Sequence, residues 1–356
     1  MRSLLALAAL CAALPLLLSP ARALACGGAF GANMTIDASQ TLLVAHRSGT
    51  ETYVFRPHFC GEAAQFGLIL PIPSALAGNP ALAEAGLFDD LETVSAPKHV
   101  ARTECRGRVG PDGGLAHGAS DAGVTGPAVI DHGQVGIFDW VLLKADSSAS
   151  FTAWLDANGF PHDASAEPLF AHYVAKGWFF VAFKVTAGEE APPEGTRLCG
   201  DFGPIQLSFP AATPVVPTRI AAASAPSYSS LRWRIYALGD QQLSATGTDF
   251  YATTRFAGGL DSATLAGLPK LSVLARAGDR LSKLDVTFSP SAEADLALGP
   301  VENVDYRETL EDITYVDCPG DPDGPGGGCS TTGPGVLPFA LSALTLLPLL
   351  GRRRRR

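Results

Sequence analysis

Two methionines, six lysines and a charged fraction of only 17 % mark this 356-residue chain as poor in charge and poorer still in ammonium groups. Nucleic acid and anionic lipid are held by clustered basic side chains, so a chain this short of lysine argues against either as a partner of its body. It contains no G-x-S-x-G, no H-E-x-x-H, no Walker loop and no C-x-x-C. The local signatures of serine hydrolases, zinc proteases, nucleotide sites and dithiol redox centres are therefore missing. Gly27, Gly28 and Gly31 follow an apolar leader rather than a strand, which excludes a dinucleotide loop. Asp321 and Asp323 lack the other ligands and the closing glutamate of a calcium loop. No repeat of solenoid or propeller period is visible.

What is present begins at the two ends. Met1-Arg2 opens a charged segment, residues 4–18 are apolar, and Ala23-Leu24-Ala25 is a small-x-small cleavage site, so residues 1–25 read as a signal peptide. Signal peptidase acting after Ala25 makes Cys26 the first mature residue. A lipobox would place Leu where Ala23 stands and would avoid a charge as close as Arg22, so ordinary cleavage is the expectation over acylation. At the other end, a Gly/Pro/Asp-rich linker (317–335) carries Cys329, an apolar run covers 336–350, and five arginines fill 352–356. That order suits a segment crossing a membrane with a basic cytoplasmic stop at 351–356. Fifteen residues span roughly 22 Å, short of the ~30 Å hydrocarbon core, and Pro338 and Pro348 weaken the helix further. A short, interrupted C-terminal span reads as a processing signal.

The tail is similar to the MYXO-CTERM sorting domain of myxobacterial surface proteins, in which a cysteine, a short hydrophobic helix and an arginine cluster follow one another. Cys329, 336–350 and 352–356 match those parts in order. The resemblance implies a C-terminal sorting protease as a partner, cleavage near Cys329, and retention at the outer membrane or cell surface. Losing both ends removes seven basic residues and no acidic one, which leaves nineteen against 35, a balance of −16. Solubility accounts for that acidity.

The body, 26–316, is long enough for one large domain or two tightly joined ones, and one ectodomain is the expectation. Its pattern predicts an α+β fold, mostly antiparallel sheet with a few packed helices. Strands are expected at 41–47 and 51–59 around a Ser48-Gly49 turn, at 66–70, and at 98–106. Pro80 opens a helical pattern whose Leu87, Phe88, Leu91 and Val94 share a face, and the glycine-rich stretch 110–127 reads as a long loop. Residues 134–144 read as one strand. A helix capped by Ser147 or Ser148 follows, then a second helix carrying Phe170 and Tyr173. The run 178–185, WFFVAFKV, is apolar on both faces and is the expected centre of the core. Further strands fall at 205–209, 231–238 and 281–288. In 231–238, Arg232, Arg234 and Tyr236 are expected on a wet face.

Cys26, Cys60, Cys105, Cys199 and Cys318 lie between leader and spacer, and an exported chain oxidises such residues. Spacing does not fix connectivity. Cys60–Cys105 is the first pairing expected and Cys26–Cys199 the next, with Cys318 free or joined to Cys329. His58, Cys60 and Glu62 alternate along one strand and so share a face, which makes a metal site geometrically possible. The disulfide reading of Cys60 is preferred, and no cofactor or catalytic residue is assigned. Cys26 as an N-terminal nucleophile would need a pocket that the sequence does not identify.

CGGAF (26–30), FGLILPIPS (66–74), WLDANGF through YVAKGWFFVAFKV (154–185) and LEDITYVD (310–317) together resemble the bacterial secreted family called domain of unknown function 2330. That family usually has a second cysteine just after the CGG-aromatic start. Gly31 stands there in this chain, so Cys26 needs a distant partner. The resemblance implies no activity. The expected role is a surface-anchored binding or structural module rather than an enzyme. The alternative is an exported hydrolase or peptidase-like enzyme with a site assembled from distant residues.

Overall fold

A computed structural model describes residues 28–30, 35–36, 39–62, 66–105, 127–160, 162, 166–185, 197–223 and 230–316. The signal peptide, Cys26, the glycine-rich loop, the linker with Cys318 and Cys329, and the C-terminal apolar segment lie outside those residues. In chain order the first strands are β1 (Gly28–Phe30), β2 (Thr35–Ile36), β3 (Ser39–Arg47), β4 (Thr50–Phe55), β5 (His58–Glu62), β6 (Gly67–Ile72) and β7 (Ala81–Leu82). Helix α1 (Leu87–Val94) precedes β8 (Lys98–Cys105), β9 (Ala128–Val135) and β10 (Phe138–Lys144). Helices α2 (Ser148–Ala157) and α3 (Glu167–Ala175) lead to β11 (Phe179–Val185), β12 (Arg197–Asp201), β13 (Ile205–Pro210) and β14 (Val215–Val216). Then come β15 (Leu231–Gly239), β16 (Leu243–Thr246), β17 (Phe250–Gly259), α4 (Ser262–Ala266), β18 (Arg280–Phe288), β19 (Leu296–Pro300), β20 (Tyr306–Arg307) and β21 (Thr309–Val316).

The chain divides into two compact units, and nearly all described residues belong to the first. That unit is built on an eight-stranded sheet, ordered β20-β17-β18-β15-β3-β4-β13-β7, and a five-stranded sheet, ordered β1-β6-β11-β10-β9. Small sheets β12-β5-β2 and β14-β19-β16 complete it. Pairing is antiparallel except between β15 and β3, which run parallel. The second unit's described residues are the far ends of β8 and β21, which pair as a two-stranded ribbon. The fold is thus mostly antiparallel sheet with few helices, as its alternating patterns imply. No helix among the described residues is long and apolar enough to cross a membrane.

Both large sheets bury apolar residues on both faces. Leu42, Val44 and Phe55 of one sheet meet Leu70, Trp140 and Phe183 of the other in a shared core. The outer face of the eight-stranded sheet buries Leu43, Val54 and Tyr236 under Leu87, Phe88 and Leu91 of α1. The outer face of the five-stranded sheet buries Leu143 and Phe180 under Phe151 of α2 and Phe170 of α3. Strand β11 is the middle strand of its sheet, which is why its residues are apolar on both sides.

Local chemistry explains the boundaries. Ser48 and Gly49 both have positive φ (50° and 75°), the backbone of a tight hairpin turn between β3 and β4. The Ser147 hydroxyl accepts from the Ser150 N–H in a capping box that starts α2, and Gly159 (φ 66°) follows its end. Gly67 admits no side chain, since a Cβ there would stand 2.7 Å from the Phe160 ring.

Four expectations are corrected. Pro57 ends the strand expected over 51–59, leaving β4 and β5 as separate strands in different sheets. The strand expected over 134–144 is a hairpin, β9 and β10, turning at Gly136 (φ 55°). The helix after Pro80 starts at Leu87, because residues 81–82 pair with β13 first. Tyr236 is not on a wet face but wholly buried, since α1 covers that end of β15.

Candidate functional site

One end of the eight-stranded sheet's outer face escapes the helical cover, and there a cleft of about 500 Å³ opens. Its floor is set by register. Arg234 on β15 lies opposite Asp285 on β18 and beside Thr41 on β3. Leu42 pairs with Phe55, so Arg56, the next residue after β4, continues the row on the far side of Thr41. Gln40 and Arg232 lie on the floor as well, and His58 and Asp201 form one wall. Every one of these lining side chains is polar or charged.

Each carboxylate in or under the cleft is already claimed. Asp285 accepts from Arg234 Nε at 3.0 Å and from Arg255 Nε at 2.9 Å, the latter reaching over from a bulge in β17. Burial would raise the Asp285 carboxyl, but these two guanidiniums more than offset it and hold it below the ordinary aspartate value. Arg234 also reaches Glu92 of α1 at 3.2 Å, and Glu92 is bonded by Lys283. Burial pushes Glu92 up, while Lys283, the Tyr236 hydroxyl and Arg234 bring it down on balance. Arg255 closes the chain on Glu308. On the wall, Asp201 takes Arg56 Nε at 3.1 Å on one oxygen and lies 2.8 Å from His58 Nδ1 on the other.

This network holds five cationic side chains (Arg56, Arg232, Arg234, Arg255, Lys283) against four carboxylates (Glu92, Asp201, Asp285, Glu308). The surplus is Arg232. It is exposed at the start of β15 and has no ion-pair partner among the described residues.

The wall also accounts for the candidate metal ligands. His58, Cys60 and Glu62 do share a face of β5, all half-buried between the buried Phe59 and Gly61. Across the ladder their partners on β12 are Asp201, Cys199 and Arg197. Cys60 is disulfide-bonded to Cys199, the two Cα atoms being 4.0 Å apart. The expected Cys60–Cys105 and Cys26–Cys199 pairings are thereby corrected. Adjacent antiparallel strands place Cys60 directly opposite Cys199, whereas Cys105 ends β8 in a different sheet. No group of three or more His, Cys, Asp or Glu side chains able to hold a metal occurs among the described residues.

Sequence reasoning missed Asp285, Glu92, Arg255 and Lys283. The available signal was the strand LSKLDVTF, 281–288, in which Lys283 and Asp285 alternate with Leu284 and Val286 and so put two opposite charges on one face. A second buried polar hub lies elsewhere. Asp295 accepts from the Tyr173 hydroxyl at 2.6 Å and from Lys176 at 2.9 Å, tying α3 to the segment before β19.

The chain matches the family DUF2330, described as an uncharacterized protein conserved in bacteria, over residues 20–298. It belongs to that family. The matched span includes every lining residue of the cleft, so the site lies in the part of the DUF2330 chain that defines the family. No curated protein and no solved structure matches it.

Proposed function

We propose that this DUF2330 protein is an exported binding module, held at the cell surface by its processed C-terminus, that presents the guanidinium-lined cleft to a ligand. The observation that carries the binding role is the state of the cleft's charges. Both of its carboxylates are tied to guanidiniums, and the one charged lining side chain without an ion-pair partner among the described residues is a cation, Arg232. Groups locked in ion pairs serve recognition better than proton transfer. Export is supported by the leader 1–25 and by the Cys60–Cys199 disulfide, a bond that persists in oxidising compartments. Anchoring rests on the order Cys329, apolar run, arginines. Signal peptidase and a sorting protease are the partners this reading requires, and the outer membrane is the destination.

Intact mass and fractionation of the protein from its host test the address. The expected species starts at Cys26, ends near Cys329 and sediments with the outer membrane. A species keeping arginines 352–356 in the inner membrane would make the tail a plain anchor. A hydrolase is the second reading, favoured by the contact of His58 Nδ1 with Asp201, since a carboxylate orienting an imidazole is half of a base assembly. Turnover of chromogenic ester or glycoside substrates that disappears in His58→Gln would replace the binding role with that one.

A further inference from the structure

Resting on the binding role just proposed, the geometry points to a ligand class: a carboxylate-bearing saccharide, such as a uronic acid unit, with its carboxylate on Arg232. The charge count sets the ligand's charge. The cleft's network exceeds neutrality by one guanidinium, so it is matched by a monoanionic group. A phosphate dianion would bring a second negative charge toward Asp201 and Asp285, which line the same 500 Å³ space.

The shape of the charge is also informative. A planar guanidinium fork presents two parallel N–H groups, which fit the two oxygens of a carboxylate. Arg232 has no ion-pair partner among the described residues, whereas Arg56 is held through Nε by Asp201 and Arg234 is held by Asp285 and Glu92. The remaining lining groups suit hydroxyls. Asp201 and Asp285 retain acceptor lone pairs beyond their arginine contacts, and the Thr41 hydroxyl both donates and accepts. A ligand with one carboxylate and several hydroxyls uses all of them. An apolar or peptide-like ligand would find no apolar side chain among the lining residues. The acidic balance of the rest of the chain repels polyanions at long range, so an acidic polymer is held at this cleft or nowhere.

The test is calorimetric titration of the purified full chain, disulfide intact, with a galacturonate oligomer, the matching neutral galactose oligomer, and inorganic phosphate. The uronate oligomer should bind, weaken as salt is raised, and lose about tenfold in affinity with Arg232→Gln, the loss expected for one charge-assisted contact. Arg232→Lys should recover part of that loss, since charge returns without the fork. Arg232 is exposed and without an ion-pair partner among the described residues, so its variants keep the wild-type fold, checked by circular dichroism. Equal binding of the neutral oligomer, phosphate competing as well as uronate, an unchanged affinity in Arg232→Gln, or no uronate binding would each overturn the assignment. The binding role itself is overturned by turnover that disappears in His58→Gln, which none of these outcomes reads, so the two readings fail separately.

Discussion

Replacing Glu51 with glutamine should stabilise the protein, and by an amount that grows with pH. Glu51 sits on β4 facing the core between the sheets, with none of its surface exposed. One carboxyl oxygen accepts from the Val215 N–H at 3.0 Å, and the other has no hydrogen-bond partner. Burial pushes the carboxyl from its ordinary 4.5 up to about 8, the Val215 contact opposing only weakly. A pKa raised by folding means that the native state must hold a proton the unfolded chain has released. Stability is therefore whole below pH 4.5 and is lost as pH climbs toward 8. Each pH unit in that window costs about 1.4 kcal/mol, or about 3 kcal/mol by neutrality and about 5 kcal/mol once the folded group ionises. Glutamine keeps the acceptor for Val215 and never ionises. Urea unfolding followed by tryptophan fluorescence, on both proteins at pH 5, 7 and 9, reads the difference directly, since every other titrating group cancels. The variant's advantage should rise by about 4 kcal/mol across that range. A difference that stays flat would show that the carboxyl is hydrated or charge-paired, and the burial argument would fail.

Phe183→Ala should cost about 3–5 kcal/mol in the same assay, because Phe183 is fully buried and packs edge-on against Phe55 of the facing sheet, their centroids 5.9 Å apart; a loss under about half a kcal/mol would remove β11 from the centre. Asp285→Asn should cost about 1.5–3 kcal/mol at neutral pH, since it leaves Arg234 and Arg255 facing each other. Because folding depresses the Asp285 pKa, that contribution fades in acid, and wild type and variant should converge as the pH falls below the ordinary 3.8. Non-reducing peptide mapping should recover Cys60 joined to Cys199, and Cys199→Ser should lower stability by about 2–5 kcal/mol.

Much of the fold was legible because its signals were local. The capping serine before α2, the glycines that end α2 and α3, and the doubly apolar run of β11 each act within a few residues, and each stands where the pattern put it. The errors share a different cause. Tyr236 read as solvent-facing because alternation along β15 says nothing about a helix arriving from residues 87–94. The Cys60–Cys105 expectation failed because β5 pairs with a strand 139 residues downstream at the cysteine positions. The cleft was invisible for the same reason. Its row of Asp285, Arg234, Thr41 and Arg56 is assembled by sheet order, which no single window of sequence contains.

The parallel seam between β3 and β15 has a consequence for how the molecule comes into being. Residues 39–46 of β3 each meet a partner 193 positions later, as Ser39 does with Arg232. Closing so long a loop is entropically uphill until many contacts form together, so this pairing belongs to the slow, late part of folding. Until then the β3–β4 hairpin carries Leu42, Leu43 and Val44 on a bare edge, a template for pairing with other chains. C-terminally shortened chains ending before residue 231 lack the partner strand altogether and keep that edge. Chains cut there should therefore aggregate more than the full chain, which light scattering of the purified truncation would read.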